Sequence, residues 1–205
     1  MPSHHVRAIA DADHDTVGAI LADAYGVFAT KAPRYHIYAS TPAMWVDDAT
    51  EVFVAVDDDA GEVIGVVVLA LDGSSLHERV DPASNDGGFR LLAVTPSARG
   101  RGIAQDLVHH CVAAARAAGA RRLGIYTMDF MATAQRLYER MGFDRRPDLD
   151  LEFPSGAGHA YTLDLVDDAA AHFPAPGPPA DPLVWYRDAL VDVVDDDEPP
   201  PPMCD

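Results

Sequence analysis

Residues 89–118 read FRLLAVTPSARGRGIAQDLVHHCVAAARAA, and this stretch decides the fold. Phe89, Arg90, Leu91, Leu92, Ala93 and Val94 make a short apolar run, broken only by the arginine, that predicts a buried strand. Thr95-Pro96-Ser97-Ala98 is turn chemistry, because proline fixes φ and donates no backbone N–H. From Ala104 onward the apolar residues recur at helical spacing. Ala104, Leu107, Val108, Cys111, Val112 and Ala115 share one face. Gly119 stands where a glycine beyond the last turn stops a helix.

Between strand and helix lies Arg99-Gly100-Arg101-Gly102-Ile103-Ala104. Strand, glycine loop and helix N-terminus in that order predict an anion cradle. The first amides of a helix have no intrahelical acceptor, and the helix dipole adds partial positive charge at the same point. Gly100 and Gly102 have no Cβ to keep a phosphate away from the backbone. Arg99 and Arg101 bring guanidinium groups, which suit phosphate oxygens. In a chain of net charge −18 such a basic spot stands out. A merely solvated Arg-Gly turn is the competing reading.

The P-loop string G-x-x-x-x-G-K-[ST] is absent from the sequence. The dinucleotide fingerprint G-x-G-x-x-G fits poorly, since Gln105 occupies the third glycine position and Gly100 lies too far beyond Val94 for a tight turn. Asp129, after the next predicted strand, keeps that reading open as the ribose-binding acid, in a nucleotide-dependent oxidoreductase. A third scheme is a resemblance. The hexapeptide fits [QR]-x-x-G-x-[GA], and Ala134-Gln135-Arg136-Leu137-Tyr138-Glu139-Arg140-Met141-Gly142-Phe143 fits A-x-x-L-Y-E-x-x-G-F. In these motifs, their order and their separation, residues 5–165 resemble the GNAT superfamily of N-acetyltransferases.

The resemblance implies an α/β fold, with a mixed, mostly antiparallel sheet and helices on both faces. It implies acetyl-CoA as cosubstrate, no metal, and transfer of its acetyl group to a primary amine of a small molecule or peptide. The amides of Arg99, Gly100, Arg101, Gly102, Ile103 and Ala104 would hold the pyrophosphate. Leu92, Ala93 and Val94 would meet the pantetheine arm, with the Val94 N–H polarising the thioester carbonyl. Tyr138 would be the general acid for the departing thiolate; core packing beside Leu137 is the alternative reading of that residue. Many family members carry Asn where this chain has Met131, which removes one side-chain contact to the cofactor. No residue is marked as general base; Asp129, Asp86, His36 and Glu152 are candidates. A non-catalytic acyl-CoA sensor or interaction module is the alternative from another functional class.

Around this centre the chain predicts a strand at residues 6–9 and a helix at 13–25. An aromatic helix–loop–helix follows at 26–49; local packing accounts for most of its rings, and one or two are candidates for the acceptor pocket. Strands at 51–56 and 62–71 form a hairpin, and 74–88 is a polar loop. Beyond the long helix come a strand at 121–127, the Tyr138 helix, and last strands at 149–153 and 160–165. His109, His110 and Cys111 are consecutive on a helix and point apart, so they make no metal site.

The chain of 205 residues is long enough for one domain with a sizeable core, assigned to residues 1–166. The composition, 48% hydrophobic and 23% charged, is that of a soluble protein. No run approaches the ~18 apolar residues of a membrane span, and residues 1–13 have no apolar signal core. These features predict a cytoplasmic protein with no membrane partner, and the charge argues against nucleic-acid backbone. Residues 167–205 form an acidic, proline-rich extension, predicted to be partly disordered. It holds ten of the 33 acids and one of the 15 basic residues, which is half of the net charge. Within it, Leu183, Trp185 and Leu190 are candidates for covering apolar surface of the domain or for a dimer contact.

Overall fold

The computed structural model describes residues 3–46, 50–71, 74, 87–153 and 155–165. The acidic extension with its dimer candidates, and nearly all of the polar loop including Asp86, lie outside the described residues.

The elements run β1 (His4–Ala8), α1 (His14–Ala24), α2 (Phe28–Lys31), α3 (Pro33–Ala39), β2 (Thr50–Asp57), β3 (Val63–Ala70) and β4 (Gly88–Val94). Then come α4 (Ile103–Ala117), β5 (Arg122–Met128), α5 (Ala132–Arg140), β6 (Asp144–Arg145), β7 (Leu151–Phe153) and β8 (Gly156–Asp164). All strands join one sheet in the order β1-β2-β3-β4-β5-β8-β6, with β7 also on β8. Every pairing is antiparallel except β4 with β5. The mixed, mostly antiparallel sheet expected from the resemblance is therefore present.

Strand alternation sorts the core onto two faces. Phe53 and Ala55 of β2 join Leu107, Val108, Cys111 and Ala115 of α4 on one side. Val52, Val54 and Val56 of the same strand join Val17 and Leu21 of α1 and Tyr38 of α3 on the other. All of β3 is buried, as an interior strand covered on both faces must be. The start of α1 is tied to β1 by Asp13. Its carboxylate accepts from the Ala10 amide at 2.8 Å and from both terminal nitrogens of Arg7, at 2.5 and 3.0 Å.

Two features open the middle of the sheet. Between Val66/Ala93 and Val68/Arg90 the β3–β4 register shifts, so two residues of β4, Leu91 and Leu92, oppose one residue of β3. Leu91 has φ +52°, the one positive φ of a non-glycine residue among those described, and it is buried. Such a bulge bends its strand. The parallel pairing of β4 with β5 holds at Gly88 and Gly124, and no other described β4 residue is in register with β5. At that point the backbones are so close that a Cβ on Gly88 would lie 2.3 Å from the Gly124 carbonyl oxygen. The two strands meet at a pair of glycines and then part.

Differences from the sequence expectation sit at element ends. Leu149 belongs to a short helical turn begun by Pro147 rather than to a strand. β8 starts at Gly156, not Ala160, because Gly156 and Gly158 let β7 lie against it; a Cβ on Gly158 would be 2.2 Å from the Phe153 ring. The β6 pair is too short to leave a periodic signal.

Candidate active site

The split between β4 and β5 is the candidate site. On one side it widens into a groove of about 690 Å³ between the start of α4 and the start of α5. On the other it holds a cavity of about 160 Å³. Ala24, Leu92, Met131 and Ala134 border both, so the two spaces adjoin.

The groove floor is the predicted cradle. Leu92, Ala93 and Val94 line it, and so do Arg99, Gly100, Gly102, Ile103 and Ala104. Gly100 and Gly102 have φ of +79° and +85°, which an L side chain rarely adopts. A Cβ at either position would meet nothing within 4 Å, so the backbone conformation, not crowding, requires glycine. Gly102 caps α4 in the left-handed region. Among the described residues, the amides of Gly102, Ile103, Ala104 and Gln105 donate to no protein acceptor. This is the unpaired row that an anion at a helix N-terminus satisfies.

The two arginines of the loop divide. Arg99 lines the groove, its Nε donating to the Val94 carbonyl at 3.2 Å. Arg101 turns away: its guanidinium pairs with Asp57 at the end of β2, at 2.9 Å, and it does not line the groove. The expectation that both guanidinium groups face an anion therefore differs from the structure at Arg101. Asp57 in turn accepts from the amides of Asp59 and Ala60, and these bonds, led by that from Arg101, hold its pKa below the usual carboxylate value. Arg140 of α5 also lines the groove and, among the described residues, supplies its other cation.

Tyr138 lines the cavity and is buried, with its ring 5.7 Å from Phe89, 5.8 Å from Phe143 and 6.0 Å from Tyr161. It is thus packed as a core residue is, yet its hydroxyl makes no hydrogen bond to a described residue. Burial pushes its pKa up, so the phenol stays protonated far above neutral pH.

A family model described as the acetyltransferase (GNAT) family matches residues 15–143. The chain belongs to the GNAT acetyltransferase family. The fold agrees. A GCN5-related N-acetyltransferase from Kribbella flavida superposes with TM-score 0.60 at 18% identity, over 78% of this chain and 97% of that one. A GNAT-family acetyltransferase from Staphylococcus aureus Mu50 does so with TM-score 0.59 at 12% identity, over 80% and 100%. The yncA protein of Salmonella typhimurium, solved with its cofactor acetyl-CoA, gives TM-score 0.54 at 18% identity, over 85% and 98%. A comparison with curated proteins found no match.

Within this GNAT frame the candidate bases do not converge. Nε2 of His36 lies 3.0 Å from the Ala22 carbonyl oxygen, where it ties α3 to α1. Asp129 accepts from the Phe130 amide at 2.8 Å and so caps its own turn. Glu152 is exposed on β7. None of the three lines the cavity. Met131 heads α5 and borders both spaces with an apolar side chain, while Gln135 donates to the Met128 and Asp129 carbonyls, each at 3.0 Å, and holds the β5–α5 turn. Several cavity residues went unmarked in the sequence reading, Arg90 and Thr127 among them. Arg90 was legible as the charge that interrupts a buried strand; Thr127 carried no signal. Among the described residues no cluster of His, Cys, Asp and Glu could hold a metal, and no helix is long and apolar enough to cross a membrane.

Proposed function

We propose that this GNAT protein transfers the acetyl group of acetyl-CoA to a primary amine, in the cytoplasm and without a metal. The observation that carries the reading is the row of unpaired amides from Gly102 to Gln105, in a groove that adjoins the cavity lined by Tyr138. The donor set suits a pyrophosphate: four amides at a helix N-terminus, two left-handed glycines, and the guanidinium groups of Arg99 and Arg140. Leu92, Ala93 and Val94 line the path from there to the cavity.

The amine nitrogen attacks the thioester carbonyl, a C–N bond forms and the C–S bond breaks. The leaving thiolate takes its proton from the Tyr138 hydroxyl, the acylated nitrogen releases its surplus proton to water, and the Tyr138 phenolate regains a proton from water before the next turnover. Tyr138 suits the role because it lines the cavity and its hydroxyl bonds to no described residue, leaving it available to the thiolate.

Free CoA release from acetyl-CoA over a panel of amines is the test, with Gly102→Val as control. Valine would have to adopt φ near +85° and would place its side chain beside the unpaired amides. Acetyl-CoA binding should weaken by 10-fold or more, as read by calorimetry. Unchanged affinity would remove the loop from the site. Tight acetyl-CoA binding by the wild type, with no release from any amine, would favour an acyl-CoA sensor.

A further inference from the structure

The acceptor end of the site has a composition of its own. Its walls come from both faces of the split sheet. Tyr25, Phe28 and Tyr35 close it from the α1–α3 side, and Tyr126 and Phe153 from β5 and β7. One charged side chain, Arg90, lines it; no Asp, Glu, His or Lys among the described residues does. A second polar feature is Thr127, 4% exposed, whose Oγ1 has no hydrogen-bond partner. A buried hydroxyl without a partner is costly unless a ligand completes it.

These features select a class of amine. A polyamine or a lysine-like side chain carries extra positive charge and needs carboxylates to receive it. Here it would meet an arginine and aromatic walls. An anionic group on the substrate would instead meet a guanidinium, whose fork matches a carboxylate. Arg90 also interacts within the protein, but five N–H donors can serve a protein partner and a substrate together. Size narrows the choice further, since a cavity of about 150 Å³ takes one benzene ring. The cavity of about 160 Å³ thus has room for one ring or one branched aliphatic chain. An α-amine, already near pKa ~8, suits a site with no Asp, Glu or His among its described lining residues better than a lysine-like amine near ~10.4.

We propose that the acceptor is an α-amino acid with an apolar or aromatic side chain, its carboxylate on Arg90, its side chain among Tyr25, Phe28 and Tyr35, and its amino group toward Thr127 and Tyr138. The assignment rests on the acetyl-transfer reading for the identity of the site, but its test does not need turnover. The full chain is saturated with CoA, which cannot react, and titrated calorimetrically with L-phenylalanine, L-phenylalaninamide, 2-phenylethylamine and spermidine. The amino acid should bind 10-fold or more tighter than its amide, which keeps the ring and amine but lacks the carboxylate. Arg90→Gln should erase that ratio and Arg90→Lys should retain part of it, with CoA affinity and melting temperature reporting that each variant is folded. The proposal is overturned if the amide or spermidine binds wild type as tightly as the amino acid, if none of the four binds, or if folded Arg90→Gln keeps the ratio. Should L-phenylalanine bind as expected and yet release no CoA from acetyl-CoA, the ligand class stands and acetyl transfer to it fails.

Discussion

Tyr138 and Thr127 are both buried at the cavity, and neither hydroxyl has a hydrogen-bond partner among the described residues. That shared property separates chemistry from packing at the scale of single atoms. Removing a hydrogen-bonded buried hydroxyl costs stability, because its partner is left unsatisfied; removing an unpartnered one does not. Tyr138→Phe should therefore leave melting temperature and acetyl-CoA affinity near wild type. If the phenol protonates the thiolate, turnover at saturating acetyl-CoA should fall by roughly 10²–10⁴-fold. Full activity of the variant at every pH would sink the assignment. A loss of both stability and activity would show that the hydroxyl has a structural partner. For Thr127, exchange for the isosteric valine removes an orphan polar atom from an apolar wall. Thermal denaturation should show Thr127→Val more stable by about 1 kcal/mol. Its KM for the acceptor should rise while acetyl-CoA binding holds; a destabilised variant would mean that the hydroxyl is satisfied.

At the scale of elements, local chemistry wrote most of the site into the sequence, and non-local pairing wrote the rest. Gly100, Gly102 and the helix behind them could be read directly, because a left-handed cap and a 3.6-residue period are properties of a short stretch. The widening of the sheet could not. The bulge at Leu91 exists only relative to β3, and Gly88 meets Gly124 across a helix and a loop. The partner of Arg101 was hidden for the same reason, since Asp57 lies 44 residues away in sequence. Tyr25, Phe28 and Tyr35 form a cluster that the aromatic spacing alone could not orient, and more of these rings line the cavity than the sequence suggested. The join of β1 to α1 gives this scale its own test. The Arg7 hydrogen bonds, with help from the Ala10 amide, hold the Asp13 pKa below its ordinary value against the opposing effect of burial. A carboxyl depressed in the folded state adds stability above its unfolded pKa of ~3.9, and that contribution disappears as pH falls through the folded value. The Arg7 side chain is 37% exposed, so water screens the pair and the contribution is about 1 kcal/mol. Asp13→Asn should accordingly lower stability by about that much at pH 7 and by much less near pH 2. Equal losses at both pH values would assign the effect to packing instead.

At the scale of the whole molecule the proposed function poses an electrostatic problem: a chain of net charge −18 would have to admit a highly anionic cosubstrate. The groove answers locally, with the α4 dipole, Arg99 and Arg140. The long-range field of the rest of the chain opposes approach, and a repulsive net charge slows association more than it weakens the final contacts. Half of that charge lies in residues 167–205, so it can be removed while every residue named in the groove is kept. Deleting residues 195–205 takes away five acids and no basic residue, and the segment offers no periodic apolar face to bury. Melting temperature and the dissociation rate of acetyl-CoA should stay as they are. The association rate should rise by a few-fold at ~0.01 M ionic strength, where the Debye length is ~30 Å, and the gain should vanish by ~1 M, where it is ~3 Å. Stopped-flow binding across that salt range makes the comparison. A gain that persisted at high salt would point to a steric block of the groove by the tail. A fall in melting temperature would show that these acids take part in the fold.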